Sequence, residues 1–172
     1  VGDSTFFASA ITGVVHAVYN QANMVLVVLD NSTTAMTGHQ PHPGTGRTVM
    51  GEIVQKINIE QVLRGIGVTE IETINPLELE ASVSCVKRMA EKSGVRAIIF
   101  KAPCIAVTKP KAPLHVDQDS CIGCKKCIRD LGCPAIVMND GKICIDASMC
   151  TGCHLCSQVC PVCSIAGGDD HE

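Results

Sequence analysis

Two stretches decide how the last third of this chain folds: CIGCKKCIRDLGCP, residues 121–134, and CTGCHLCSQVCP, residues 150–161. Each presents three thiols two residues apart, Cys121, Cys124 and Cys127 in the first and Cys150, Cys153 and Cys156 in the second. Each then adds a fourth cysteine directly before a proline, Cys133-Pro134 and Cys160-Pro161. Three thiolates at that spacing can face one metal cluster if a tight loop wraps around it, and the fourth ligand must come from elsewhere. Zinc sites take paired ligands from two knuckles, whereas triplets followed by Cys-Pro belong to iron–sulfur chemistry. The apolar side chains of 115–165, such as Ile122, Ile128, Leu131, Ile136, Ile143 and Ile145, are too few for an independent core. The clusters themselves must then serve as core. The two stretches form an internal repeat, each a ligand loop leading into a short helix. Asn139-Asp140-Gly141 marks a turn between short strands at 135–138 and 142–145.

The pattern is similar to that of ferredoxins carrying two 4Fe–4S clusters, in which the cysteine before each proline serves the other cluster. That resemblance assigns Cys121, Cys124, Cys127 and Cys160 to one cluster, and Cys150, Cys153, Cys156 and Cys133 to the other. One spacing departs from it: five residues separate Cys127 from Cys133, where three are usual. The loop can bulge and keep the ligand.

The totals exclude several classes of function. A net charge of −3 argues against a nucleic-acid partner. No apolar run, the longest being near 24–29, is long enough to cross a membrane. Twelve cysteines could signal a secreted disulfide scaffold, but they concentrate in the two repeats and no leader precedes them, so a reducing cytoplasm is expected. Aromatics are only 2 %, so aliphatic side chains must fill the core. From His115 onward acidic residues outnumber basic ones eight to four, which could shape the docking of an electron carrier.

Upstream, strands and helices alternate, which predicts a parallel sheet. Strands are expected at 23–30 (NMVLVVLD, buried on both faces), 70–74 and 95–100. Helices are expected at 6–20, 58–65 and 76–93, the last capped by Asn75 with Pro76 in its first turn. The linker VTKPKAPL, 107–114, divides the chain into domains at 1–106 and 115–172. Val1-Gly2-Asp3 reads as the end of a strand whose start is missing, so the chain is expected to be part of a longer protein.

Gly2-Asp3-Ser4 and, 27 residues after Asp3, Asp30-Asn31-Ser32-Thr33 each follow a strand. Both therefore lie at the carboxyl ends of a parallel sheet, where ligands bind in open α/β folds. Asp3 and Asn31 offer hard oxygen ligands for Mg²⁺ beside phosphates, and the amides at Ser4 and Thr5 open a helix suited to a diphosphate. The arrangement resembles the thiamine diphosphate motif, a G-D-G/S followed some thirty residues later by Asn. That motif implies Asp3, the Asn31 side chain and the Thr33 carbonyl as Mg²⁺ ligands.

GDSTFF (2–7) and LDNSTTAMTGHQPHPGTG (29–46) together resemble the large subunits of indolepyruvate:ferredoxin oxidoreductases, within the 2-oxoacid:ferredoxin oxidoreductase family. The resemblance runs from Gly2 to Ile165. It implies an α/β fold: part of a thiamine-diphosphate-binding parallel-sheet domain, then a small α+β two-cluster ferredoxin domain. It further implies cofactor contacts from Gly2, Asp3, Ser4, Thr5, Asn31, Thr33, Met36, Thr37 and Gly38. The implied reaction is oxidative decarboxylation of an aryl pyruvate, with coenzyme A taking the acyl group and an external ferredoxin the electrons. A small beta subunit is the implied partner. Many relatives have His where this chain has Ala8, which bears on specificity or activity. An electron-transfer module with an incomplete thiamine domain is the alternative reading. No side chain is identified as the acid–base partner of the cofactor's aminopyrimidine. His39 and His42 flank Gln40-Pro41 beyond the Mg²⁺ loop as candidate active-site residues, and His39 is favoured for its place next to the Thr37-Gly38 turn.

Overall fold

The computed structural model, described for residues 1–167, divides the chain into two compact units, Val1–Thr108 and Lys109–Glu172. Residues 168–172, which the sequence assigns to the second unit and which include His171, lie outside the described residues.

The first unit begins as a continuous helical segment in three parts: an α turn at Asp3–Thr5, a π segment at Phe6–Ala10 and helix α1 at Ile11–Tyr19. It starts three residues earlier than the pattern predicts, because the Phe6 N–H already donates to the Gly2 carbonyl at 2.8 Å. Helical propensity contains no signal for a π segment, which is set by tertiary packing and often lies at functional sites. Here Phe6 is fully buried, and Phe7 sets its ring edge-to-face against it.

Strands β1 (Met24–Asp30), β2 (Glu70–Ile74) and β3 (Val95–Lys101) form a parallel sheet in the order β1-β3-β2. The centre therefore belongs to β3, whose Arg96 to Ile99 are all buried. Strand β1 is not buried on both faces as its composition suggests: Leu26 and Val28 pack inward while Leu29 is 55 % exposed. On its free side the Leu29 N–H donates to the Val1 carbonyl at 2.8 Å, and Gly2 pairs with Leu29 in parallel. Alternate side chains of β3 serve two layers. Ala97 and Ile99 join Phe6, Val14, Val28 and Leu63 beneath α1 and α2 (Ile59–Ile66). Ile98 joins Cys85 and Met89 of α3 (Leu79–Glu91) on the other face. Buried Arg96 is held by the carbonyls of Met89 and Gly94 and the side chain of Asn23.

The helix expected over 58–65 is present, and Asn58 caps it, accepting from the Gln61 N–H at 3.1 Å. The third helix does not begin at Pro76. Asn75 accepts instead from the Leu77 N–H at 3.0 Å, closing a turn, and α3 starts at Leu79 without a side-chain cap. A short Asx turn has satisfied the side chain that could have capped the helix.

The second unit comprises β4 (Leu114–Val116), α4 (Lys126–Leu131), β5 (Ile136–Asn139), β6 (Lys142–Ile145), α5 (Leu155–Val159) and β7 (Ile165–Gly167). Strands β4 and β7 pair antiparallel, as do β5 and β6. Leu114, which closes the expected linker, is a buried strand residue. The repeat holds register at an offset of 29 in residue number. Asp117 and Asp146 match, as do Gly123 and Gly152 and the left-handed helix N-caps Lys125 and His154. The Asp117 N–H donates to the Ser164 carbonyl at 2.8 Å, and the Asp146 N–H to that of Ala135, also at 2.8 Å. The longer Cys127–Cys133 interval makes no bulge. Helix α4 extends further than α5 and ends on Gly132 in the left-handed conformation.

Candidate functional site

In the first unit, the parallel register sets the last residues of the strands along one edge, with Asp30 opposite Lys101 and Ile74 opposite Phe100. Gly2 beside Leu29 brings Asp3 to the same edge. Asp3 is buried, and its carboxylate is held from two sides. Oδ1 accepts from the Ser4 N–H at 2.8 Å, and Oδ2 from the Ser32 N–H at 2.8 Å. The second bond ties the two sequence motifs together across 29 residues. Asn31 Oδ1 accepts from the Thr33 N–H at 3.2 Å, and Ser32 takes a positive φ of 62° to make the turn. The Asn31 carbonyl accepts from the Cys104 N–H at 2.9 Å, so the segment after β3 braces the same loop.

Asp3, Ser4, Asn31 and Thr33 are thus brought together. Met36, Thr37, Gly38 and His39 are not part of this cluster: they form an exposed 3-10 turn, Ala35–Thr37, and its left-handed exit. His39 is exposed with φ 63°, whereas His42 is the histidine at Asp3. Its side chain is only 6 % exposed, and Nε2 stands 3.2 Å from Asp3 Oδ2. That nitrogen is close enough for an ion pair but makes no hydrogen bond. Nδ1 accepts from the Gly44 N–H at 3.2 Å, which assigns the proton of the neutral ring to Nε2. The Phe7 ring stacks on the imidazole with centroids 5.8 Å apart. A Cβ at Gly44 would meet the His42 and Phe7 rings at 3.0 Å, so a larger residue would have to push them apart by a few tenths of an ångström. Sequence reasoning underrated His42 because the contact depends on Phe7 and Gly44, residues whose packing no motif encodes.

The donor set suits Mg²⁺ and a diphosphate: a carboxylate, an amide oxygen and a backbone carbonyl, all hard oxygens. The buried Nε2 without a hydrogen-bond acceptor adds a donor at the same place.

In the second unit the cysteines gather as two sets of four. Cys121, Cys124, Cys127 and Cys160 line one cavity together with Ile122 and Ile143. Burial pushes the Cys127 thiol up, and the neighbouring Cys124 and Cys160 add to it. Burial also pushes Cys156 up to about 11, helped by Cys153, Cys150 and Cys133. Each Cys-Pro cysteine therefore stands beside the triplet of the other repeat. Among the described residues no three His, Cys, Asp or Glu side chains converge tightly enough for a single metal ion. Cysteines around a cluster stand further apart, because the cluster's own metal and sulfide atoms fill the middle.

The sulfurs are hydrogen-bonded. Cys160 Sγ accepts from the Ser164 N–H at 3.4 Å and lies 3.3 Å from the Ser164 hydroxyl, while Cys150 Sγ accepts from the Leu114 N–H at 3.4 Å. Burial, the largest single influence on Cys160, raises its thiol, but the Ser164 hydroxyl and the N–H groups of Val162, Ser164 and Ile165 together bring it below the ordinary value. Cys163 is exposed and outside both sets, and Cys85 is fully buried beneath the sheet. No described helix is long and apolar enough to cross a membrane.

Comparison with known proteins agrees with both halves. Residues 1–100 match the model of the thiamine pyrophosphate enzyme C-terminal TPP-binding domain, and residues 114–161 match the 4Fe-4S dicluster domain. The chain is 44 % identical over 167 residues to the indolepyruvate oxidoreductase subunit IorA of Methanothermobacter thermautotrophicus, covering 96 % of this chain and 27 % of that protein. It is 40 % identical over 167 residues to the protein of the same name from Archaeoglobus fulgidus, covering 94 % and 27 %. With that of Pyrococcus horikoshii it shares 37 % identity over 171 residues, covering 94 % and 26 %. The chain spans about a quarter of the length of the curated relatives it matches.

Proposed function

Because the chain belongs to the thiamine pyrophosphate enzyme family through its C-terminal TPP-binding domain, we propose that it is the cofactor-holding and electron-carrying segment of a 2-oxoacid:ferredoxin oxidoreductase. The reaction is oxidative decarboxylation of indolepyruvate or another aryl pyruvate, with coenzyme A as acyl acceptor and an external ferredoxin as electron acceptor. A smaller subunit completes the enzyme. The observation that carries this reading is the presence, in one chain, of the Asp3–Ser32 oxygen cluster and two sets of four cysteines.

Asp3, Asn31 and the Thr33 carbonyl would hold Mg²⁺, with Ser4 and Thr5 beside the diphosphate. Thiamine diphosphate, when bound, supplies the electron sink for decarboxylation. The chain's own residues position and shield. The Ser32 and Ser4 N–H groups fix both Asp3 oxygens, and His42, packed under Phe7, presents the Nε2 proton next to Oδ2 and excludes water from it. Cys121, Cys124, Cys127 and Cys160 would hold one 4Fe–4S cluster, and Cys150, Cys153, Cys156 and Cys133 the other.

The test is anaerobic reconstitution with iron, sulfide, thiamine diphosphate and Mg²⁺, followed by mixing with indolepyruvate and coenzyme A. Bleaching of the cluster absorbance that needs both thiamine diphosphate and Mg²⁺ is the expected result. Bleaching by dithionite with no response to substrate would make the chain an electron-transfer module. Carbon dioxide release without bleaching would make it a non-redox decarboxylase.

A further inference from the structure

The two cysteine repeats match at an offset of 29, and their backbones close alike. The carbonyl of Ser164 accepts from Asp117, as that of Ala135 does from Asp146, and Ile165 and Ile136 begin the next strands. Ser164 and Ala135 are equally buried, 2 % and 3 % exposed. At this matched backbone position the repeats differ by one buried hydroxyl, which lies 3.3 Å from Cys160 Sγ; Cys160 precedes Ser164 by four residues, whereas Cys133 precedes Ala135 by two.

A buried hydroxyl needs a partner. Once Cys160 ligates iron its sulfur is a thiolate and can only accept, so the Ser164 O–H donates. Reduction adds one negative charge to a cluster and its ligand sulfurs. A donor to sulfur therefore stabilises the reduced form more than the oxidised one, and hydrogen bonds to sulfur are a known determinant of cluster potential. The first repeat has a methyl group where this donor sits.

We propose that Ser164 separates the potentials of the two clusters: its hydroxyl gives the cluster of Cys121, Cys124, Cys127 and Cys160 the higher potential. This rests on the eight-cysteine assignment above. One electron then leaves the reduced cluster of Cys150, Cys153, Cys156 and Cys133, which becomes oxidised, and reduces the cluster of Cys160, with no proton moved. The Cys160 cluster becomes the terminal holder of each electron. Ser164 is a positioning residue: it touches a ligand and neither substrate nor iron.

The experiment is a redox titration, followed by electron paramagnetic resonance, of the anaerobically reconstituted chain and its Ser164→Ala variant. Iron and sulfide are assayed first, because failure of the parent to hold two 4Fe–4S clusters refutes the assignment rather than the role of Ser164. With both clusters present, Ser164→Ala should lower one potential and leave the other in place. The distribution of one electron between them then changes by roughly tenfold, about 59 mV for a one-electron couple. Ser164→Thr, which keeps the hydroxyl, should restore the parental gap. Ser164→Cys, a weaker donor, should give the same sign at smaller size, and it replaces the Ala variant should that variant lose iron. Two unmoved potentials, or an equal shift of both, would overturn the proposal.

Discussion

The two units are built on opposite terms. The first closes a parallel sheet between helices, with Phe6, Val28, Leu63, Val68, Met89 and Ile98 fully or almost fully buried. The second has two short antiparallel pairs and two short helices, and its buried side chains include two cysteines, Cys127 and Cys156, and Ser164, which is bonded to a third, Cys160. Apolar burial holds a fold whether or not a ligand is present, whereas a ligand-lined interior holds only when the ligand is there. The two interiors thus lead one to expect a first unit that precedes its cofactor and a second that depends on it.

The sharpest way to break this contrast is to remove iron. Chelation should unfold the second unit and leave the first intact. By hydrogen exchange, protection should vanish across β4 to β7 and persist in β1 and β3. Loss of protection in both units would show that the first also depends on the clusters. The reverse perturbation is Leu63→Ala, which empties a fully buried site beneath the sheet. It should cost about 3 kcal/mol in a denaturant titration of the first unit without changing bound iron.

Smaller effects sharpen the comparison at the sites. Replacing His42 by Ala should weaken Mg²⁺-dependent binding of thiamine diphosphate about tenfold, or roughly 1.4 kcal/mol by calorimetry. His39→Ala, on the exposed turn, should change it far less. Equal losses would restore His39 to the site.

The smallest effect concerns Glu72 and Arg88, which pair at 2.5 Å on the outer face of the first unit. The Arg88 hydrogen bond holds the Glu72 carboxyl below its ordinary value. A depressed carboxylate adds stability above its unfolded pKa and loses it as pH falls through the folded one. Glu72→Gln should therefore lower the melting temperature slightly at pH 7, and the difference should fade on acidification.

Much of this was legible in residue order, and the failures are instructive. Strand β2 falls on 70–74 as its alternation predicts, and Asn58 caps α2 because its side chain had no nearer competitor. Asn75 was expected as a cap, but it faces a turn that claims its oxygen first. The central position of β3 was hidden because β1 is just as apolar; only strand order separates them. The loops at Asp3 and Asn31 were visible as motifs, since the two must converge for the pattern to mean anything, and the Ser32 N–H does join them. The choice between His39 and His42 was not visible. It depends on a π segment that turns Phe7 toward the loop and on a glycine that leaves room, and both belong to packing rather than to spacing.

The crossing of the Cys-Pro cysteines has a consequence for how the protein is made. Cys133 stands with Cys150, Cys153 and Cys156, and Cys160 with Cys124 and Cys127. While the chain emerges from the ribosome, the first triplet is finished early yet lacks its fourth neighbour. Neither set of four is complete until residue 156 has been synthesised, and the earlier triplet must wait for residue 160. Cluster insertion would thereby be deferred until the repeat is nearly whole, so a product truncated before residue 156 would be left with open thiols rather than one finished cluster.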